Sequence, residues 1–468
     1  MKFTKLSLVA ALAMNVAFAG GDIAPVEPVV EAAPVVSEST ISGNVKLFYG
    51  TNDAGTNKLF SKNGATGDAY ADIKYSRKVY DNVTLNLGMA YLSTLGLEND
   101  LVSSTWAGHN RQASINLNRL RTVNANPAST AAQKAAALAT FNATAGQYVN
   151  DAAWMNEANV VIGGLPGSSF LKIGRQELDT PFFYSEKWSI ATNTFDAAVA
   201  GTNVLPDTTL IAAWVGRGNG AAGTVVALNN TDFGGGHVAF GSDLVTAGAL
   251  GSAKPAYAFA AINKSISNTA LQAWYYKIPS AADAYWLQAD TKIGGIELGA
   301  QYAGTTIKNT TLTTLGLQKT SAYALRIGYS ADALSAYAAY SKRDNKTGID
   351  ISNIATGVAG SNGAPTLGGG ESRLYTEAYW NYGFVGGQDA KTIAAGVSYD
   401  LGMAKLGAQY TNVNTSLAAS AGDMQEFAVT ASAKVGPINA DLAYINAKSN
   451  GNPKNNTVLV MLSMPFSL

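Results

Sequence analysis

The stretch Asn456-Thr457-Val458-Leu459-Val460-Met461-Leu462-Ser463-Met464-Pro465-Phe466-Ser467-Leu468 decides how the rest of the sequence reads. In an extended strand, successive side chains point to opposite faces. Val458, Val460, Leu462, Met464, Phe466 and Leu468 therefore share one face, and Leu459, Met461, Ser463, Pro465 and Ser467 share the other. An unbroken apolar face suits a sheet whose outer surface meets lipid. The last strand of a soluble sandwich would alternate in the same way, so the decision passes to the segments upstream.

Composition narrows the choice. Lys and Arg total 32 against 32 Asp and Glu, so net charge implies neither nucleic acid nor an anionic surface as a partner. Cysteine is absent, which removes disulfides, thiol nucleophiles and thiolate metal sites. Only 14% of residues are charged, alongside 48 Gly and 22 Tyr, an unusual balance for a soluble chain of 468 residues. No apolar run reaches the ~20 residues that a spanning helix needs. Lys2 and Lys5, the apolar run 6–13 and Ala17-Phe18-Ala19 make residues 1–19 a secretory signal peptide. Residues 20–40, with three prolines (Pro25, Pro28, Pro34) and Glu27, Glu31 and Glu38, read as an extended periplasmic linker. The folded body is then 41–468.

Within that body the grammar of the last strand recurs. Val83, Leu85, Leu87, Met89 and Tyr91 oppose Thr84, Asn86, Gly88 and Ala90; Ile296, Leu298, Ala300 and Tyr302 oppose Glu297, Gly299 and Gln301. Leu406, Ala408 and Tyr410, and Ile438, Ala440, Leu442 and Tyr444, repeat it. Tyrosine falls near strand ends (Tyr302, Tyr329, Tyr399, Tyr410, Tyr444), where an interfacial girdle belongs. Tight turns are predicted at Asp81-Asn82, Leu165 to Ser168, Leu205 to Thr208, Ser265 to Asn268, Gly294-Gly295, Ser330 to Ala333, Leu401 to Ala404 and Gly436-Pro437. They alternate with longer polar connections at 51–67, 94–151, 179–193, 218–253, 278–283, 307–319, 344–390, 414–423 and 449–455. The expectation is an all-β, transmembrane antiparallel β-barrel of about 18 strands, sixteen being compatible, with short periplasmic turns and long extracellular loops.

Setting the apolar faces toward lipid turns the charges inward, as it must where a Lys or Arg at mid-membrane costs roughly 2–4 kcal/mol. The residues expected to line the pore are Asp72, Lys74, Lys172, Asp290, Lys292, Glu297, Arg326, Asp400, Lys405, Lys434 and Asp441, with Lys78 also inward. Arg77 stays outward near a turn. Arg175 shares parity with Leu171 and Ile173, so either a bulge turns it inward or it lies at the upper rim. Two connections carry further signals. Residues 128–145, with AAQKAAALATF, have helical composition. Residues 179–193, DTPFFYSEKWSIATN, hold Phe182, Phe183, Tyr184 and Trp188, which need burial. This loop is expected to fold into the lumen and form a constriction with Asp179, Glu186 and Lys187; an external flap is the competing arrangement.

Leu171-Lys172-Ile173-Gly174-Arg175-Gln176 running into Leu178-Asp179-Thr180-Pro181, together with the final strand, resembles the OprD-like outer-membrane porins of the epsilon-proteobacterial type. The resemblance implies an 18-stranded barrel, an inward third loop and diffusion of small solutes, some bearing carboxylates, past a ladder of inward arginines and lysines. Here the inward set is mixed in sign. It also implies the outer-membrane assembly machinery as a partner, read through the last strand, with Phe466 and Leu468 as the signal where the family habit is a terminal aromatic. Outer-membrane lipids and lipopolysaccharide are the expected surroundings, and both a homotrimer, as in general porins, and a monomer, as in OprD-like ones, are compatible with the sequence.

Catalytic signals are missing. His109 and His237 fall in loops without an acidic ligand cluster, and no G-x-S-x-G elbow occurs. Asp344 to Asp350 is compatible with a loop-bound cation such as calcium but lacks a downstream Glu, and no other cofactor is expected. The functional expectation is a water-filled channel of the cell outer membrane for passive diffusion of ions and small hydrophilic solutes. The competing one is a surface structural or adhesive barrel with a blocked lumen.

Overall fold

A computed structural model of the chain describes residues 39–94, 152–219 and 254–468, apart from 56, 62–63, 189, 280, 315, 356–369 and 418–421, together with 237–239 and parts of 116–144. The signal-peptide and most of the linker assignments, and His109, lie outside the described residues. Eighteen long strands and the two-residue strand Val238–Ala239 form one antiparallel sheet. Each long strand pairs with its neighbours in chain order, and the first strand, Ser39–Asn52, closes the ring on the last, Asn455–Ser467. Ser39 and Thr40 thus belong to the barrel wall rather than to the linker. The closing register sets Val45 against Met464, Leu47 against Leu462 and Tyr49 against Val460. The backbone hydrogen bonds between Ile41 and Leu468 extend the seam to the final residue. Closure leaves no sheet edge unpaired, the condition for a β-structure inside lipid.

All eight expected turns are present, and Ser39, where the wall begins, and Leu468 both lie at the turn end of the barrel. The outward residues are the apolar ones: Ile73 is 57% exposed, Ile327 56% and Leu325 54% on the bare barrel, where lipid would cover them. The inward alternates are buried. Leu459, Met461 and Ser463, the second face of the final strand, lie almost wholly covered inside. The helical segment forms as Ala131–Thr144, opened by a reciprocal box in which Gln133 N–H bonds Thr130 Oγ1 and Thr130 N–H bonds the Gln133 side chain.

Two segments return into the lumen. One is the stretch after strand Ser169–Gln176, the expected constriction loop. The other is the second half of the 344–390 connection, which the sequence reading left outside. Together they carry the apolar core: Phe182, Phe183, Leu374, Ala378 and Val385 pack with wall residues Trp274, Tyr276 and Trp286. A second cluster joins Ile190, Ala191 and Tyr379 to Phe48, Trp154, Leu459 and Met461.

Candidate functional site: the narrowed lumen

The strand that leads into the 177–194 segment passes through a glycine two residues before its end. Gly174 has φ +123, and a Cβ there would stand 2.1 Å from the Ala158 carbonyl oxygen, so no side chain fits. Beyond it Asp179 and Tyr184 form an isolated bridge, and Thr180 Oγ1 accepts from Phe183 N–H. The turn drives Phe182 and Phe183 against the wall. Phe182 meets Tyr276 and Trp286 edge-on at 5.4 and 5.7 Å, and Phe183 meets Tyr276 at 5.1 Å. Such pairs add to the burial of two large rings.

The 371–390 segment is seated by polar groups. Gln301 uses its amide as a strand would: its carbonyl accepts from Tyr375 N–H at 3.1 Å, and its NH2 donates to the Arg373 carbonyl at 2.9 Å. Gln409 donates to the Glu377 carbonyl at 2.8 Å, and the Tyr375 hydroxyl donates to Asp290. The firmest seat is Glu426. This wall carboxylate is 1% exposed and accepts the consecutive N–H groups of Tyr379 (2.6 Å), Trp380 (3.1 Å) and Asn381 (2.7 Å), and the Asn381 side-chain amide. Three successive N–H groups converging on one carboxylate make an anion nest.

The two segments meet across the lumen. Arg373 donates to Asp179 at 2.5 Å and lies over the Tyr184 ring at 4.0 Å, a cation–π contact. The first half of the same 344–390 connection also joins the first segment: Ile354 N–H bonds the Phe182 carbonyl, and Asn353 donates to Glu186 Oε1 and to the Tyr184 carbonyl. Trp188 packs edge-on against Trp380 at 5.9 Å. Burial pushes the Glu371 carboxyl up to about 8: Arg373 opposes the shift, and Glu186, Glu377 and Asp179 reinforce it. Glu377 rises to about 7, again through burial, opposed by its hydrogen bonds to Ser372 and Ala378.

The expected site residues fall in three places. Lys74 and Lys172 sit inward on the wall beside the first segment, with Asp72, which accepts from Tyr70 and the Asn44 N–H. Lys46, which the sequence reading passed over, joins them; it donates to the Ile190 carbonyl and lies over the Tyr70 ring at 5.3 Å. Lys187 reaches the same group from the segment, 63% exposed and 4.0 Å from Glu177. Burial alone would raise the Glu177 carboxyl, but Lys74, Lys187, Lys46 and Lys172 together hold it below the ordinary range. Glu157, 3.6 Å from Lys74, completes the cluster.

Half-way round the ring stands the second group. Glu297 binds Lys292 (3.0 Å) and Arg326 (3.2 Å), and Arg326 stacks near Tyr337 and Tyr375. Asp290 is held by Gln288 and Tyr375. Asp441 stands apart from this group: it faces inward opposite Met461, on the strand next to the closing one. The third group lies at the turn end. Asp400 caps its own turn by accepting from Gly402 N–H, and Lys405 and Lys434 line the same mouth. Phe466 and Leu468 lie on the outward face of the closing strand.

Glu186 differs from its expected part. It is 2% exposed and fully engaged by Trp188, Asn353 and the Asn193-linked backbone, so it braces the segment while Lys187 meets the water. Asp344 and Asp350 both face Arg343 (3.3 and 3.7 Å), and among the described residues no three His, Cys, Asp or Glu side chains gather as a metal site. Arg175 lies at the rim. It is paired with Asp196 at 2.8 Å on the outward side, and a register shift on the neighbouring strand brings Arg217 to the same carboxylate at 2.7 Å.

Comparison with known proteins gives a matching answer. The family described as Gram-negative porin matches residues 9–464. No curated protein matches the sequence. Among solved structures, Pseudomonas aeruginosa OpdK with vanillate superimposes with a TM-score of 0.62 at 14% identity, covering 92% of this chain and 100% of that one. P. aeruginosa OccK2 (OpdF) in complex with glucuronate gives 0.60 at 11% identity, over 94% and 100%. Acinetobacter baumannii OccAB4 gives 0.61 at 10%, over 92% and 98%.

Proposed function

Because this chain belongs to the Gram-negative porin family, a family of outer-membrane channels for small solutes and not of enzymes, we propose that its lumen admits small hydrophilic solutes by passive diffusion through a narrow zone set by two crossing segments. The passage runs between the Lys46, Lys74, Lys172 and Lys187 group and the plate formed by 177–194 and 371–390. The observation that carries this reading is the gathering of lysines where the first segment meets the wall: Lys46 on the Ile190 carbonyl at 3.2 Å, Lys187 4.0 Å from Glu177 and Lys74 3.6 Å from Glu157, with Lys172 inward on the strand that leads into the segment. A solute's negative end would align with the lysines, and its remainder would face the Asp179, Arg373 and Trp188 side of the plate. Charge held in a low-dielectric wall acts over more of the path than in bulk water. Small carboxylates are the solutes that fit; vanillate and glucuronate, bound by two proteins of similar fold, are of that class.

Reversal potentials in planar bilayers under a potassium chloride gradient test it. Lys74→Ala and Lys172→Ala should move the reversal potential toward cation preference. Unchanged potentials in both variants would remove these lysines from the conducting path.

A further inference from the structure

The molecule is neutral overall, yet its outward-facing charge at the loop end is arranged in a repeated unit. At the first station Arg175 and Arg217, on strands either side of Asp196, share that one carboxylate at 2.8 and 2.7 Å. At the second, Lys277 and Lys308 share Asp283 at 4.0 and 3.5 Å. At the third, Lys342 bonds Asp389 at 2.8 Å while Lys391, its register partner, stands exposed beside it. Asp389 is further occupied by Ser416, whose N–H donates at 2.7 Å. Each station thus sets two cations against one carboxylate and keeps one positive charge uncompensated.

The stations share a setting. On the same outward face lie aromatics: exposed Trp214 below Arg217, exposed Tyr275 and half-buried Tyr285 below Lys277 and Asp283, and exposed Tyr323 beside Lys342 with half-buried Tyr340 below it. Aromatic rings of this kind mark the depth of the lipid headgroups. The other arc of the ring is built differently. There the rim tyrosines are capped by amides, Gln425 on Tyr410 at 2.7 Å and Asn456 on Tyr444 at 2.6 Å, with Lys58, Lys448 and Lys454 among its exposed cations.

We propose that the stations Arg175/Arg217, Lys277/Lys308 and Lys342/Lys391 bind the phosphate groups of the anionic glycolipid that surrounds the barrel's outer rim. At the first two stations the carboxylate ties together cations from the strands on either side of it, and at the third the register sets Lys391 beside Lys342, so the cations of each station stand at one height on the rim. Arg217 offers the planar fork that matches a phosphate, and the lysines supply compact charges at the same height. The tyrosines and Trp214 hold the acyl region immediately beneath. A protein partner or a second copy would instead need apolar contact at this height, and the face here is a row of half-compensated cations.

Native mass spectrometry of the folded full-length protein in neutral detergent tests the assignment. The probes are bisphosphorylated lipid A, monophosphoryl lipid A and dioleoyl phosphatidylcholine. The wild type should bind them in that order. Arg217→Gln/Lys277→Gln/Lys308→Gln/Lys391→Gln should weaken bisphosphorylated lipid A by about tenfold or more, each cation near an anionic surface being worth several-fold in affinity. The control Lys58→Gln/Lys448→Gln/Lys454→Gln, set against the equally charged Lys277→Gln/Lys308→Gln/Lys391→Gln, should change it little. Heat-modifiable mobility on gels confirms folding, and Lys277→Gln/Lys308→Gln alone serves if the fourfold variant does not fold. Equal affinity in variant and wild type would overturn the proposal, as would an equal loss in the control. A change of oligomeric state with lipid affinity unaltered would assign the belt to a second copy instead. Conductance of the same samples reads the channel separately, since the stations lie outside the lumen.

Discussion

The two inward segments solve one problem by opposite means. Residues 177–194 are seated by rings, with Phe182 and Phe183 in an aromatic pocket of Tyr276 and Trp286. Residues 371–390 are seated by a buried carboxylate and wall amides, chiefly Glu426, Gln301 and Gln409. An apolar seat carries no carboxylate, whereas a polar seat is held by directional bonds whose loss strands its partners. One segment should therefore behave as part of the wall and the other as the element that conditions can loosen.

The largest effect should follow from breaking the apolar seat. Phe182→Ala is expected to cost about 3–5 kcal/mol, as large aromatic truncations in packed cores do. It should appear as a lower unfolding temperature and as larger conductance steps. Glu426→Ala comes next. Each N–H of Tyr379, Trp380 and Asn381 that loses its acceptor costs roughly 1–3 kcal/mol, less whatever lumen water restores. Hydrogen exchange of 379–381 should accelerate while that of 182–184 stays slow. Equal acceleration in both would show that the segments form one unit rather than two.

The junction between them is a smaller term. A double-mutant cycle on Asp179→Ala and Arg373→Ala should give a coupling of about 1–3 kcal/mol, the range for charge-assisted bonds between contacting residues. A coupling near zero would detach the loops energetically. The smallest expected effect is a pH dependence confined to the polar segment. Glu371, up to about 8, and Glu377, up to about 7, bind their protons more tightly folded than unfolded. Their contribution is fully present below the ordinary value of 4.5 and fades as pH rises through about 7 and 8. Protease nicking of 371–390 should increase between these limits, and nicking of 177–194 should not.

How much of this was legible follows the same division. The barrel was readable because lipid enforces strict alternation; the final strand and the inward direction of Lys74, Lys172 and Arg326 follow from period two, and the eight turns from their Gly, Pro, Asn, Asp and Ser residues. The first segment was readable because Phe182, Phe183 and Trp188 crowd a short stretch otherwise in water. The second carries the same signal in Tyr375, Tyr379, Trp380, Tyr382 and Phe384, but Gly357, Gly360, Gly363 and Gly368 to Gly370 precede it and make the whole connection read as polar. Glu426 was hidden by Gln425 beside it, which leaves no polarity contrast between the faces at that point. The rim position of Arg175 needed its partners, because Asp196 and Arg217 meet it only across strands, through a register shift that alternation does not reveal.

Single-channel recording of the purified, folded protein in planar bilayers tests the central claim most directly. The wild type should give discrete, stable ion-conducting steps, and Glu426→Ala should give larger ones as the 371–390 segment leaves the lumen. No steps from folded wild type would contradict the channel, and identical steps from both proteins would contradict the narrowing assigned to that segment.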